Sequence, residues 1–300
     1  MSVTENSTST YEELSTELRI FHSVSSIAIA IAGTVGNIIS IYRLTRKSQR
    51  QQTCNIYLVN LSVNNLLSSG IILPLIAVNS FFNGWIYGLV FCKLFGYVLY
   101  TNICVEGNAI TLLTFNRFLK IVHPNTYNTV YGRPRNNAII IAVSWLFYAV
   151  LLIFPVTDIM GEFGYDPNKK YCGMSKKDNF ALIIAACFLL TSVPLICYSY
   201  VSIFLTFKKS KQKIADKKTD ITSTEQTNTG INSRQEMRLL RMIIMIMVCF
   251  LLTYTPYSVI TVVDPRMELA GRLINTIIIY ICWSHLFINP IIYILKNPQK

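Results

Sequence analysis

Charged residues are scarce in this sequence. Only 14% of its 300 residues are Asp, Glu, Lys or Arg, whereas 52% are hydrophobic. A soluble domain carries about 25% charged residues, so the composition excludes an ordinary soluble protein. Acidic residues are fewer than basic residues, with 15 of the former and 27 of the latter. The meaning of this positive excess depends on where the basic residues lie.

Histidine is scarcer still, and its three copies are His22, His123 and His285. They lie at different levels of the expected fold, and no spacing of His and Cys resembles a zinc site. We therefore expect neither an enzyme nor a structural metal. An internal repeat of the kind that transporter halves show is also lacking. A transporter or channel stays the less favoured alternative, which a flux measurement would test.

Long apolar stretches are what the sequence has in abundance. A helix needs about 20 apolar residues to cross roughly 30 Å of hydrocarbon at 1.5 Å per residue. Seven stretches reach that length, at about 22–42, 54–78, 89–121, 137–159, 178–206, 237–263 and 271–295. Because most connections between them are short, neighbouring helices should pack antiparallel. The sequence predicts an all-α membrane protein, a bundle of seven transmembrane helices.

The basic residues predict how this bundle is oriented. If the N-terminus is outside and the C-terminus inside, only eight of the 27 Lys and Arg residues are outside. The remainder lie inside, which is the asymmetry expected of cytoplasmic segments. The net charge of +12 then marks a cytoplasmic face and no nucleic-acid surface. We expect a multi-pass plasma-membrane protein without a cleavable signal peptide, in contact with membrane lipid.

Three regions follow from this orientation. Residues 1–21 would form an extracellular segment, where the sequon at Asn6 predicts glycosylation. Residues 22–295 would form the membrane domain, whose long third inner loop spans about 207–236. Residues 296–300 would be a short cytoplasmic tail. Six of the eight cysteines fall in or beside apolar stretches, and the remaining two, Cys92 and Cys172, fall on the oxidising side, so we expect one disulfide between them.

Polar residues inside the apolar stretches are functional candidates, because they cost free energy in a membrane. They occur in a recognisable order, with one motif in each span. These motifs are Gly36-Asn37, Asn60–Leu67, Asn116-Arg117-Phe118, Trp145, Pro194, Phe250–Pro256 and Asn289-Pro290-Ile291-Ile292-Tyr293. Together they resemble the rhodopsin-like (class A) G-protein-coupled receptors. The Asn-Arg pair and the stretch after it look closest to the melatonin receptors and the insect moody and trapped-in-endoderm group.

The resemblance implies a switch at the inner face. In this family the Arg at the place of Arg117 pairs with an acid on the sixth span, and Glu236 stands where that acid occurs. An acid at the start of a helix, favoured by the helix dipole, is the alternative interpretation of Glu236. Asn116 replaces the usual Asp and predicts a weaker inactive state. The other members of the switch are expected to be Phe118, Asn289, Pro290 and Tyr293, and its partner a heterotrimeric G protein.

The midplane departs from the family pattern. The usual Asp of the second span, which holds sodium, is Asn65 here, while Glu106 stands at the place of a Ser on the third span. The expected polar cluster comprises Asn37, Asn65, Asn102, Glu106 and His285. Sodium binding at Glu106, with sodium as a modulator, is one hypothesis. A neutral, hydrogen-bonded Glu106 is the equally weighted alternative, since a lone buried carboxylate favours the protonated form.

The sixth span supplies the expected hinge, formed by Phe250 and Pro256, since a proline kinks a helix. Tyr254 replaces the family's usual Trp at the base of the ligand pocket. The alternative is that Tyr254 is an ordinary packing residue, and the two roles predict nearly the same structure. The expected lining is aromatic and nearly uncharged, which suits a small apolar ligand, while a peptide stays open. Its members are Leu99, Tyr100, Ile103, Tyr254, Tyr257, Tyr280 and Trp283.

The resemblance also excludes two ligand classes. Leu99 stands where amine receptors carry an Asp, so an amine would lack its counter-ion. Trp283 stands where an opsin carries its retinal-binding Lys. We expect a signalling receptor for an unknown extracellular, non-aminergic ligand. A non-signalling decoy receptor of the same fold is the main alternative, because Asn65, Asn116 and Tyr254 all depart from the pattern.

Overall fold

A computed structural model describes residues 15–46, 53–166, 171–174, 180–216, 226–263 and 271–296. Within that part of the chain, seven helices are long and apolar enough to cross a membrane, which confirms the predicted bundle. Many of their large apolar side chains lie on the outer surface, for example Ile31, Val143 and Phe204. An apolar exterior is what a lipid-facing helix bundle requires.

The first two spans lie side by side. Helix α1 covers Thr16–Thr45 and begins before the predicted start at 22, because Ser15 caps it by accepting a hydrogen bond from the Leu18 amide. The second span runs through α2 (Cys54–Leu67), a π-helical turn (Ser68–Ile72) and α3 (Leu73–Phe81). Pro74 lies two residues after the π turn, and a proline cannot donate the usual backbone hydrogen bond, so the helix widens there.

The third span, α4 (Gly88–Val122), is the central helix, since it contacts the second, fourth, fifth and sixth spans. It ends before Pro124, which opens the short helix α5 (Pro124–Tyr131). The fourth span comprises α6 (Pro134–Leu151) and the single turn α7 (Ile153–Val156). Tyr57 donates a hydrogen bond to Asn137, whose amide donates to the Tyr131 carbonyl, so α5 is held against the second and fourth spans.

Three further spans complete the bundle, and each contains a proline. The fifth is α8 (Phe180–Asp216), with Pro194 inside it, and the sixth is α9 (Gln226–Val263), with Pro256. The seventh is broken at Ser284 into α10 (Gly271–Trp283) and α11 (His285–Lys296). Pro290 lies inside α11, and the break at Ser284, immediately before His285, is separate from it.

A small antiparallel hairpin covers one end of the bundle, which we call the hairpin end; the opposite end is the Arg117 end. Strands β1 (Phe163–Asp166) and β2 (Tyr171–Met174) pair with Tyr165 opposite Cys172. All four residues of β2 are buried. A Cβ atom on Gly96 of α4 would lie 2.7 Å from the Phe163 ring, so glycine at this position lets β1 dock against α4.

Candidate functional site

A disulfide bond fastens the hairpin to the bundle. Cys92, in the first turns of α4, is bonded to Cys172 of β2, with the two Cα atoms 5.3 Å apart. The predicted pairing is therefore confirmed. Since both cysteines are buried, the bridge lies beneath the strands and holds β2 across the mouth of the bundle.

Aromatic and aliphatic side chains lie directly below the hairpin. The structure brings five of the seven predicted pocket residues into one cluster with Tyr171 of β2. They are Leu99, Tyr100, Ile103, Tyr257 and Trp283. The Tyr171 and Tyr257 hydroxyl oxygens lie 2.9 Å apart, which links the hairpin to the sixth span. Burial raises the pKa of Tyr171 well above its usual value, so its phenol stays protonated.

The other two predicted pocket residues lie outside this cluster. Tyr280 faces α1, where its hydroxyl donates to the His22 carbonyl at 2.8 Å and lies 3.0 Å from the Ser26 hydroxyl. This set of contacts joins the first and seventh spans. Tyr254 lies deeper, with its ring centre 4.2 Å from that of Phe250, the residue expected at the hinge, and it forms the floor beneath the aromatic cluster.

Glu106 is the centre of the polar core, and it is 1% exposed. One carboxylate oxygen accepts a hydrogen bond from Tyr254 at 2.9 Å. The other lies 2.8 Å from Nε2 of His285, an ion-pair distance. Glu106 on α4, Tyr254 on α9 and His285 on α11 therefore meet at one point, and we call these three residues the midplane triad.

The remaining members of the predicted cluster are bound separately. Asn102 donates to the Ser68 hydroxyl, which the π turn presents to α4, and its backbone carbonyl accepts from Asn64 at 3.0 Å. Asn37 donates to the Leu286 carbonyl at 2.9 Å. That carbonyl lies four residues before Pro290, whose nitrogen carries no hydrogen, so Asn37 supplies the donor that the helix lacks.

A narrow cavity lined by several amide side chains follows the midplane triad toward the Arg117 end. Its lining includes Asn37, Asn65, Asn289 and Tyr293, together with small and aliphatic side chains, and it has room for about one water molecule. The side-chain oxygens of the three asparagines have no protein hydrogen-bond partner within the described residues. We call this space the amide cavity, since neutral amides supply most of its polar atoms.

The Arg117 end contains the predicted switch residues. Asn116, Arg117 and Phe118 are all buried, Arg117 being only 1% exposed, and Tyr293 is buried in the same half of the bundle. Burying a guanidinium group is costly, so Arg117 is a candidate functional residue. The side chain of Glu236, its expected partner, lies outside the described residues, as does Asn6.

The comparison with known families decides what this arrangement is. The family described as "7 transmembrane receptor (rhodopsin family)" matches residues 36–293, most of the chain. This chain belongs to that family. The motifs of the predicted switch and hinge all lie within the matched region, so the resemblance drawn from them is confirmed.

Individual relatives are distant from this receptor. It is 26% identical over 294 residues to Protein trapped in endoderm-1 of Drosophila melanogaster, covering 93% of this chain and 74% of that one. It is 24% identical to the G-protein coupled receptor moody of the same species, covering 95% of this chain and 50% of that one. Squid rhodopsin shares the fold with a TM-score of 0.83 at 20% identity, covering 96% of this chain and 80% of that one.

Some residues of the receptor's site were not predicted from sequence. Tyr171 and Phe163 enter through the hairpin, and the only sequence signal for it was aromatic residues on both sides of Pro167-Asn168. The π turn places Ser68 in the site, and Pro74 was the sequence signal that could have indicated an irregular helix there. Two tyrosines of the fifth span, Tyr198 and Tyr200, differ in their surroundings. Tyr200 faces α4, 3.5 Å from the Thr114 hydroxyl, while Tyr198 is largely exposed.

Proposed function

We propose that this receptor lies in the plasma membrane with its N-terminus outside and transmits an extracellular signal to heterotrimeric G proteins. The orientation is supported by the charge distribution, since most Lys and Arg residues then face the cytoplasm. It also puts the hairpin end outside, where the Cys92–Cys172 disulfide is stable. The family supports G-protein coupling and an extracellular ligand as general properties.

The ligand that fits best is a small apolar molecule, with a peptide as the second class. The cluster beneath the hairpin is aromatic and aliphatic, and Leu99 within it is buried. A cationic amine would need a carboxylate there, and the acid of the midplane triad is already engaged by Tyr254 and His285. Transfer of an apolar ligand from water to such a site is favourable.

The observation that carries the signalling proposal is the buried Arg117. It lies on α4 at the end of the bundle opposite the hairpin, and its neighbours Phe118 and Leu119 share one apolar cluster with residues of the inner half of α9. An outward swing of that half about Pro256 would uncover Arg117 and the surrounding apolar surface. A G protein would bind this newly exposed surface and favour the swung state, since a partner stabilises the conformation to which it binds.

The test is basal dissociation of a panel of G proteins in cells that express the wild type or Arg117→Ala at equal surface levels. We expect the substitution to change basal signalling by on the order of fivefold or more, the lower range of coupling between sites. Arg135→Ala is the matched control, because Arg135 is exposed at the same end of the bundle. If the wild type dissociates no G protein of the panel, even after a ligand screen, the result would favour the decoy receptor.

A further inference from the structure

The connection between α3 and α4, together with the helix ends on either side of it, exposes large apolar side chains at the hairpin end. Six of them are at least half exposed, and we call them the apolar collar: Phe81, Phe82, Ile86, Leu89, Val90 and Leu94. Val90, in the first turn of α4, is 84% exposed. A group of exposed apolar side chains of this size marks a contact with a membrane or with a partner.

Charged residues are missing from this part of the sequence. No Asp, Glu, Lys, Arg or His occurs from residue 51 to residue 92, a range that includes the whole connection. The other two connections at the hairpin end carry both signs, for example Asp158 and Lys170 in one and Asp264 and Arg266 in the other. A loop in water carries charges at little cost, whereas a charge in a membrane costs free energy. The composition of the collar therefore favours contact with lipid.

The level of the collar along the bundle is that of lipid headgroups. Helix α4 has 35 residues, about 52 Å of helix, whereas a bilayer is about 30 Å thick in its hydrocarbon and about 40–45 Å with its headgroups. Val90 precedes Arg117 on this helix by about 40 Å. With Arg117 at one edge of the hydrocarbon, Val90 lies just beyond the opposite edge.

The polar backbone groups of the connection are largely paired within it. The Phe82 amide donates to the Val78 carbonyl at 3.0 Å, and the Gly84 amide donates to the Asn79 carbonyl at 3.1 Å. The indole N–H of Trp85 donates to the Gly88 carbonyl at 2.8 Å. Since paired groups cost less to remove from water than unpaired ones, this loop can approach the acyl chains cheaply.

Aromatic rings with polar tips lie within the connection. The Trp85 ring stacks on Phe91 with centres 5.9 Å apart, and the Tyr87 ring lies 5.4 Å from the same Phe91 ring. Trp and Tyr are enriched where a membrane meets water, because their rings are apolar and their N–H or O–H groups remain wet. The two residue types therefore fit the level at which the collar lies.

Helix α1 continues the apolar surface of the collar. Arg19 donates through Nε to the Phe81 carbonyl at 3.0 Å, which places the start of α1 beside the end of α3. Ile20 and Val24, on the same part of α1, are exposed like other lipid-facing residues. A patch that binds a soluble protein is enclosed by polar residues. The collar instead adjoins the lipid-facing surface, with the cation of Arg19 at the level of lipid phosphates.

We propose that the apolar collar is an interfacial anchor, which inserts into the boundary between headgroups and acyl chains of the phospholipid leaflet at the hairpin end. Burial of its side chains in that layer is favourable, as for other interfacial segments. Cys92, which bonds the hairpin to α4, lies two residues after Val90. The anchor therefore holds the base of the hairpin at a fixed depth. This inference goes beyond signalling and does not depend on it.

The test measures what surrounds a nitroxide label at Val90→Cys in vesicles of phosphatidylcholine. The exposed Cys187 and Cys197 are replaced by serine. Collisions of the label with oxygen, which concentrates in the bilayer, are compared with collisions with a nickel chelate in the water on both sides. Val143, exposed in the middle of α6, gives the lipid reference. Glu17, exposed in the first turn of α1, gives the water reference at the same end.

We expect the oxygen-to-nickel ratio at Val90 to be shifted from the Glu17 value toward the Val143 value. A ratio equal to that at Glu17 would show that the collar faces water, and would overturn the anchor. Low collision rates with both reagents would also overturn it, because a protein then covers the collar. Spectral broadening between labels in that case would identify a second copy of this chain as the occupant.

A second label tests the depth of insertion. Leu94 lies one helical turn after Val90, about 6 Å nearer to the middle of the bundle, so its oxygen-to-nickel ratio should be higher than that at Val90. Leu89→Cys replaces Val90→Cys if the latter fails to fold. A lipid value at Leu94 with a water value at Val90 and Leu89 would confine the membrane to the span and contradict the anchor.

Discussion

The midplane triad and the amide cavity lie one helical turn apart along α11, at His285 and Asn289. The two regions differ in how their polar atoms are paired. In the triad, one oxygen of Glu106 accepts a hydrogen bond from Tyr254, and the other lies 2.8 Å from His285 Nε2, at ion-pair distance but without hydrogen-bond geometry. In the amide cavity, the side-chain oxygens of Asn65 and Asn289 have no protein partner within the described residues, and there is room for a water molecule.

This difference follows the energetic cost of burial. An ionisable group without a partner in a low-dielectric interior is expensive, so the fold supplies one from each neighbouring helix. A neutral amide costs far less and can be satisfied by a buried water molecule. The triad therefore depends on helix positions, while the amide cavity can adapt to small movements.

The largest expected difference between the two regions is in stability. Glu106→Ala should lower the free energy of unfolding by about 3–5 kcal/mol, because it leaves His285 buried without its partner. Asn65→Ala should lower the free energy of unfolding by only about 1 kcal/mol, because the Asn65 side-chain oxygen has no protein partner that the substitution would leave unpaired. Thermal and denaturant unfolding of the purified receptor in detergent measures both. Equal losses would remove the distinction between the regions.

A second comparison concerns the close packing of α1 beside the amide cavity. A Cβ atom on Gly36 would lie 2.9 Å from the Pro290 ring, so Gly36→Ala should destabilise the receptor by about 1–3 kcal/mol. Gly70→Ala is the control, since the nearest atom to its added Cβ is a Thr34 hydroxyl at 3.7 Å. The control should stay within about 0.5 kcal/mol of the wild type; an equal loss there would show that close packing is not the cause.

A smaller effect is expected from the donor that Asn37 provides. Asn37→Ala should cost about 1–2 kcal/mol, because the Leu286 carbonyl loses its partner. Pro290→Ala restores a backbone N–H that can bond to the same carbonyl. In a double-mutant cycle followed by unfolding, Asn37→Ala should therefore cost less in the Pro290→Ala background. Strictly additive losses would argue against this explanation of the Asn37 contact.

The smallest effect concerns sodium. Since Tyr254 lies 2.9 Å from one Glu106 oxygen and His285 lies 2.8 Å from the other, we expect sodium to change basal signalling and ligand affinity no differently in the wild type and in Glu106→Gln. Choline replaces sodium as the control cation at constant ionic strength. A sodium-dependent shift that only the wild type shows would favour the sodium hypothesis and would mean that the triad opens to admit the ion.

Much of the fold was predictable because a membrane imposes simple rules. Span length follows from bilayer thickness, and the cysteine pair followed from the predicted side of each segment. The order of the motifs around Arg117, Pro256 and Asn289 predicted the family. These inferences depend on local composition and on sequence order, which a single chain records directly.

The partners of individual polar side chains were less predictable. Glu106 was grouped with Asn37, Asn65, Asn102 and His285, but in the structure only His285 contacts it, and Tyr254 is the second partner. Tyr280 was placed in the pocket but faces His22. In a bundle surrounded by lipid, both faces of a helix are largely apolar, so the hydrophobic pattern does not fix helix rotation.

The seven spans, the Cys92–Cys172 disulfide and the family could be predicted from the amino-acid sequence, since each depends on composition, compartment or motif order. The hairpin over the bundle, the π turn at Ser68, the break at Ser284 and the partners of Glu106 became visible only in the folded bundle. These features arise where several helices meet. The possible partners of a side chain there are far apart in the sequence and come within hydrogen-bonding distance only in the packed bundle.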